Sequence, residues 1–309
     1  MTRWIKRIVL IGLILSIGYS LIGEYFFRKA TETKSLQKTS RLDIEIAAER
    51  IDTSWYNHQK KERFTISSEF GYKLQAILLY ASDSSQKTIV VHHGLGADKY
   101  IMHKLAPMYL NMGFNVLLFD SRAHGESGGE SYSYGYYEKF DLDRVLTYVN
   151  KRFANGIIGV HGESMGAATC LLHAGMKDKQ AEADFYISDC GYSDLKTLFR
   201  HRLKEDFKLP NLFIIEAASM ATKLHEGYWF SQVSPIENLD QVSTPILFIH
   251  GTQDDYVPTF MARQMFQKKA GTKDLYLSEE SVHATSFGDH PVEYQKAVED
   301  FLLSIAYIW

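Results

Sequence analysis

The first pattern along the chain is an unbroken apolar one. From Ile8 to Phe27 the only charged residue is Glu24, with Arg3, Lys6 and Arg7 ahead of the run and Arg28 and Lys29 behind it. About 20 apolar residues cross the hydrocarbon core of a bilayer as a helix, and Trp4, Tyr25 and Phe26 are placed for its interfaces. The pattern predicts a membrane anchor within residues 1–29, with residues 8–27 in contact with lipid. A cleaved signal peptide is the competing reading. Its apolar core usually runs about 7–15 residues, and Gly18-Tyr19-Ser20 is only a weak small-x-small cleavage site. A short basic stretch before an apolar run looks like an export signal, so the body of the chain is expected on the extracytoplasmic side.

Beyond this run the pattern changes to alternation. Residues 30–62 are mostly polar and read as a tether with a docking helix. Residues 63–309 read as one body. Phe64–Ser67 and Tyr72–Tyr80 predict an antiparallel strand pair turning at Gly71. Short apolar runs follow at Thr88–Val91, Val116–Phe119, Ile157–Val160, Phe185–Ile187, Ile246–Ile249 and Leu275–Leu277. Helical patterns separate them at Tyr100–Met112, Tyr137–Arg152, Met165–Met176 and Thr259–Lys269, and Pro291–Tyr307 closes the chain. Apolar runs of this length between helices predict a doubly wound, mostly parallel α/β sheet covered on both faces. One stretch, residues 193–232, shows helical spacing and no strand. It reads either as an extra helix pair packed on the core or as a small cap over a ligand entrance.

Composition narrows the classes. The 309 residues carry 34 Lys and Arg against 37 Asp and Glu, a net charge of −3, so nothing suggests a nucleic-acid footprint. Hydrophobic residues make up 45% of the chain, enough for a sizeable core. Cys170 and Cys190 are the only cysteines, which excludes a disulfide scaffold and any C-x-x-C site.

The pattern G-x-S-x-G occurs twice, at Gly125–Gly129 and at Gly162–Gly166. A nucleophile elbow needs a buried strand directly before the serine and a helix directly after it. Ser164 has both, since Ile157–His161 leads in and Gly166–Leu172 leads out. Ser127 has neither and reads as a turn. A serine hydroxyl needs a histidine base, itself oriented by a carboxylate. In a doubly wound sheet these lie on later loops, in the order serine, acid, histidine. Asp254 and Asp255 follow the Ile246–Ile249 strand and His283 follows Leu275–Leu277. Asp189 is a weaker alternative acid. His290, beside Pro291, is better suited to capping or packing. Oxyanion donors are expected from the backbone N–H groups of Met165, after the nucleophile, and Leu95, in His93-Gly94-Leu95-Gly96. There is no H-E-x-x-H, P-loop or complete G-x-G-x-x-G, so neither metal nor organic cofactor is expected.

Together these segments resemble the α/β-hydrolase superfamily, and are similar to bacterial membrane-anchored hydrolases grouped with serine aminopeptidase-like and prolyl-oligopeptidase-like domains. The likeness is carried by His93–Gly96, Phe119–Ser127, Gly162–Gly166, His250–Pro258 and Val282-His283-Ala284, over roughly 220 residues from about Lys87 onward. It implies a Ser164–Asp254–His283 triad, because the spacing H-G-x-x-D-x-x-V-P selects Asp254 over Asp255. The family usually has glycine where Ala123 stands. The resemblance implies a serine hydrolase acting on a small acyl substrate but does little to choose the bond, since the superfamily includes esterases, lipases, thioesterases and peptidases. The apolar share of residues 194–232 suits an acyl chain or an aromatic ester and makes a carboxylic ester the expected bond. A peptidase on short peptides is the alternative within the class, and a non-catalytic tethered binding module the alternative outside it.

Overall fold

A computed structural model describes residues 3–31, 42–48 and 51–308. The chain divides into two compact units, one made of Met1–Glu32 with Asp194–Val233 and the other of Thr33–Ser193 with Ser234–Trp309.

The larger unit begins with two short helices, α2 (Leu42–Ala47) and α3 (Thr53–His58), where the sequence suggested one. Asp52 starts α3 by accepting the Trp55 N–H. The strands are β1 (Lys61–Ser67), β2 (Lys73–Leu79), β3 (Thr88–His92), β4 (Asn115–Phe119), β5 (Ile158–Glu163), β6 (Phe185–Asp189), β7 (Ile246–Gly251) and β8 (Lys273–Ser278). They form one sheet in the order β1-β2-β4-β3-β5-β6-β7-β8. β1 and β2 are antiparallel, as are β2 and β4, and every other neighbouring pair is parallel. The first pair turns at Gly71, whose φ is +86°.

All five residues of β3 and of β4 are buried, because the strands have helices on both sides. Alternate residues go to opposite faces. Val90, Leu117, Val160 and Phe248 pack with Leu142, Leu146 and Val149 of α5 (Glu138–Arg152) and with Leu171 of α6 (Met165–Ala174). Ile89, Val91, Leu118 and Ile249 face the other way, onto Met108 and Tyr109 of α4 (Ala106–Asn111) and Tyr294, Val298 and Phe301 of α11 (Pro291–Ser304). Each such side chain contributes about 1.5–3 kcal/mol when fully buried. The helix expected over Tyr100–Met112 is divided: Ile101–Leu105 is a 3-10 turn, and Pro107 lies in the first turn of α4, where its missing N–H does no harm. Helices α9 (Phe260–Lys268) and α10 (Ser286–Asp289) complete the list for this unit in chain order after α7 and α8 of the other. Chain order reverses at β3, between β4 and β5, which makes the carboxyl ends of β3 and β5 the place where ligands bind in sheets of this kind.

The smaller unit holds α1 (Arg3–Thr31), α7 (Leu195–Phe207), α8 (Ile214–Glu226) and a 3-10 turn at Phe230–Gln232. Asp194 caps α7 by accepting the Thr197 N–H. Among the described residues α1 is the one helix long and apolar enough to cross a membrane. Its later part packs closely on α8: a Cβ on Gly23 would lie 2.6 Å from the Ala217 carbonyl oxygen. Phe27 stacks on the His225 ring with centroids 4.7 Å apart, Phe26 meets the Phe207 ring edge-on at 5.2 Å, and Glu24 pairs with His225 at 2.8 Å. Residues Arg3–Ile17 of the same helix are exposed throughout.

Candidate active site

The site begins at the turn between β5 and α6. Ser164 has φ +57° and ψ −114°, a left-handed backbone that a serine adopts only when its surroundings impose it. Two glycines impose it. A Cβ on Gly162 would stand 2.3 Å from the Gly166 carbonyl oxygen, and one on Gly166 would stand 2.2 Å from that of His92. Strand, turn and helix therefore approach more closely than any side chain permits. The Ser164 N–H donates to the Asp189 carbonyl at 2.8 Å, which ties the turn to β6.

From β8, the following loop brings His283 to the serine: its Nε2 is 2.8 Å from Ser164 Oγ. On its other side His283 Nδ1 is 2.7 Å from Asp254 Oδ2. With Nδ1–H donating to the carboxylate, Nε2 is left as an acceptor for the serine hydroxyl. Asp254 is buried just after β7, and its Oδ1 accepts the backbone N–H groups of Tyr256 at 3.0 Å and Val257 at 2.8 Å. Burial by itself would raise its pKa, but hydrogen bonds from His250 and His283 outweigh that and hold it at about 2. The structure thus brings Ser164, His283 and Asp254 together. Asp255, the neighbouring alternative, is exposed. Asp189 is engaged elsewhere, accepting the Tyr294 hydroxyl at 2.8 Å. Burial, together with the nearby Glu163, pushes its pKa up to about 6. His290 Nε2 meets the Glu279 carbonyl, and the residue precedes α11 as its cap.

Leu95 lies in the loop after β3, which runs against the serine: a Cβ on Gly94 would be 3.1 Å from Ser164 Cβ. Met165 is the first residue of α6, so its N–H has no acceptor within the helix. Two neutral imidazoles hold the Leu95 loop and the neighbouring turn. The Ser121 N–H donates to His93 Nε2 at 2.8 Å, and the Gly96 N–H to His124 Nε2 at 3.1 Å. Burial holds the His93 pKa well below its ordinary value, which keeps Nε2 free to accept.

Ser127, in the other G-x-S-x-G, is buried in a turn. Its Oγ donates to the Asp120 carbonyl at 2.7 Å and accepts the Gln75 N–H at 2.8 Å. Ala123, where the resembling family has glycine, keeps a glycine-like φ of +57°.

Three features were not legible in the sequence. His250, the last-but-one residue of β7, stands 3.1 Å from Asp254 Oδ2 and supports the carboxylate from behind. Its signal was the H in H-G-x-x-D. Glu163, the variable residue before the serine, pairs with Lys104. Tyr294 of α11 links Asp189 to His161 beneath the elbow. Among the described residues one group has metal-ligand atoms within 4.8 Å of one another: Cys190, Asp254 and His283. Burial raises the Cys190 thiol well above its ordinary pKa, so it is a protonated neighbour of the acid and not a thiolate ligand.

Comparison with known proteins gives a consistent picture. A family model described as "alpha/beta hydrolase fold" matches residues 87–215. The "Uncharacterized protein YqkD" of Bacillus subtilis (strain 168) is 38% identical over 248 residues, covering 80% of this chain and 81% of that protein. The "Uncharacterized protein YfhR" of Escherichia coli (strain K12) is 24% identical over 251 residues, covering 79% and 81%. Among solved structures, the Pyrococcus furiosus esterase Pf2001 superposes with a TM-score of 0.66 at 21% identity, covering 82% of this chain and 94% of its own. The esterase EaEST of Exiguobacterium antarcticum does so with a TM-score of 0.58 at 17% identity, covering 78% and 99%.

Proposed function

Because the chain belongs to the α/β-hydrolase fold family, we propose that it is a serine hydrolase that cleaves a carboxylic ester through an acyl-enzyme, tethered to a membrane by α1. The observation that carries this reading is the hydrogen-bonded line Ser164 Oγ to His283 Nε2 to Asp254 Oδ2, standing on a strained strand–helix turn. Ser164 Oγ attacks the carbonyl carbon while His283 Nε2 takes its proton. The resulting oxyanion is received by the N–H groups of Met165 and Leu95, each donor worth about 2.7–4 kcal/mol in comparable sites. His283 then gives its proton to the leaving alcohol as the tetrahedral intermediate collapses to the acyl-serine. Water, deprotonated by the same imidazole, attacks the acyl-serine and releases the acid. Asp254 stays ionised throughout and fixes the imidazole tautomer, which suits a carboxyl held at about 2.

The test is turnover of the detergent-solubilised full chain and its Ser164→Ala variant on a chain-length series of chromogenic esters, beside aminoacyl amides. Serine-dependent ester cleavage is expected, and the chain-length optimum then measures the depth of the acyl pocket. Amide cleavage as fast as ester cleavage would transfer the enzyme to the peptidases. A folded protein that turns over neither substrate, and that a fluorophosphonate does not label, would be a tethered binder.

A further inference from the structure

We propose that the α7–α8 connection and the outer stripe of α8 rest on the bilayer that α1 enters, so that the smaller unit meets the membrane at a second place beside its anchor. This rests on the anchoring reading of α1 given above.

The first observation is one of level. Gly23 is the first buried residue of α1, and the 20 residues Arg3–Ile22 ahead of it lie on the surface of the molecule, only Gly18 being partly covered. The uncharged part, Ile8–Ile22, rises about 22 Å at 1.5 Å per residue, with Arg3, Lys6 and Arg7 long enough to reach the far headgroups. The lipid contact expected over residues 8–27 is thereby cut back to the stretch before Gly23. The part of α1 that emerges from the bilayer is therefore the part that packs on α8. The notch at Gly23, where even a methyl group would reach the Ala217 backbone, leaves α8 no room to stand off from the emerging helix.

The second observation is what α8 and its preceding loop present there. Phe213, Met220 and Leu224 are exposed by 73%, 47% and 76%. At 100° per residue Met220 and Leu224 fall on one stripe, about 60° and 20° round the helix from Ala217, and Phe213 stands just ahead of the helix as its cap. The exposed apolar stripe thus borders the seam with α1. The loop continues it with Leu209 and Leu212, exposed by 41% and 74%. Phe213 stands at φ +64°, an outlying backbone for an aromatic residue, and most of its side chain is exposed. An apolar patch of this kind on the same unit as a spanning helix, with basic residues around it, is what an interfacial element presents to lipid.

Charge points the same way. Leaving out Arg3, Lys6 and Arg7 at the far end of α1, residues 8–32 and 194–233 carry 8 Lys and Arg against 7 Asp and Glu, whereas the remainder of the chain beyond this unit carries 23 against 30. The side of this unit that bears the apolar patch is near neutral in an acidic protein, so it is the part that anionic lipid repels least.

Depth-dependent quenching in vesicles tests the proposal. An environment-sensitive fluorophore is placed on the full chain at one of three substitutions: Ile14→Cys, Leu212→Cys or Val292→Cys. Cys170 and Cys190 are buried and do not compete for label, and position 292, exposed by 74%, matches 212 in exposure outside this unit. Each protein is reconstituted in phosphatidylcholine vesicles with 30% phosphatidylglycerol (about the anionic fraction that gives a substantial surface potential), with or without acyl-chain nitroxide lipid. The expected result is quenching at 14 and at 212, the latter roughly threefold above 292. Quenching at 14 with none at 212 overturns the docking surface and leaves the anchor standing. No quenching at 14 overturns the anchor itself. Equal quenching at 212 and 292 means general adsorption and overturns the proposal.

Discussion

Ser127 and Ser164 sit in the same five-residue pattern and differ in everything the pattern does not specify. Around Ser164 the glycines remove side chains so that a strand and a helix can nearly touch, and the hydroxyl is left with a histidine as its partner. Around Ser127 the hydroxyl is consumed by the backbone: it donates to Asp120 and accepts from Gln75, knitting β2 to the turn after β4. The first serine is held in a strained backbone with a reactive partner, and the second in a satisfied one with none. What separates them is the element on each side, not the motif.

The widest separation is expected in turnover. Ser164→Ala should lower ester hydrolysis by about 10⁴–10⁶-fold with the melting temperature little changed, because the hydroxyl supports no packing; an active Ser164→Ala protein would end the distinction drawn between the two turns. Asp254→Asn should slow turnover by about 10⁴-fold through the wrong imidazole tautomer, while Asp255→Asn, at an exposed position, leaves kcat within about twofold. The reverse ranking in steady-state kinetics would move the acid by one residue.

Acid should unfold the scaffold on which both turns stand. Burial lowers the pKa values of His92 and His103 to about 4 and of His161 to about 3, below the ordinary 6.5. The unfolded chain therefore binds protons first as pH falls, so the stability these residues lend is complete above about 6.5 and is lost between there and 4. Asp141 and Asp189, raised to about 6 chiefly by burial, bind protons in the folded state over the same window and oppose the loss. His93 and His173 are lowered by burial as well, and Asp120 is raised, so five imidazoles oppose three carboxyls and stability is expected to fall between pH 6 and 4. Chemical denaturation at several pH values checks it, and a flat profile would show that the imidazoles are not held neutral.

The smallest effect belongs to the other serine. Ser127→Ala should leave kcat unchanged and lower stability by about 1–3 kcal/mol, because the Gln75 N–H loses its acceptor in a half-buried place. A selective loss of activity without a loss of stability would give Ser127 a part in the chemistry after all.

The strands were legible because β3 to β7 are buried on both faces and have to be apolar along their length. The register of the sheet, the division of the Tyr100–Met112 segment and the pairing of α1 with α8 were not, since each depends on contacts between residues far apart in the chain. The elbow was legible because its chemistry is local: strand, glycine, serine, glycine and helix are consecutive. Asp254 and His283 were legible as residues past the ends of later strands; that position alone left Asp255 in competition, and the H-G-x-x-D-x-x-V-P spacing favoured Asp254, which is also the buried one of the two. Glu163 and Tyr294 escaped because closing a buried network needs no fixed spacing, only proximity, whereas His250 stood at a fixed spacing from Asp254 that gave its place but not its contact with the carboxylate.

The Gly23 notch divides α1 into two stretches under different rules. Ahead of it, if α1 is the anchor proposed above, a lipid-facing side chain needs only to be apolar and long enough in sum, so Ile, Leu and Val are interchangeable and a replacement from an unrelated anchor should serve. From Gly23 to Thr31 the partner is a protein surface, and one added methyl group at position 23 meets a backbone oxygen at 2.6 Å. Along a single unbroken helix, substitution should be nearly free for five turns and then sharply restricted at one residue.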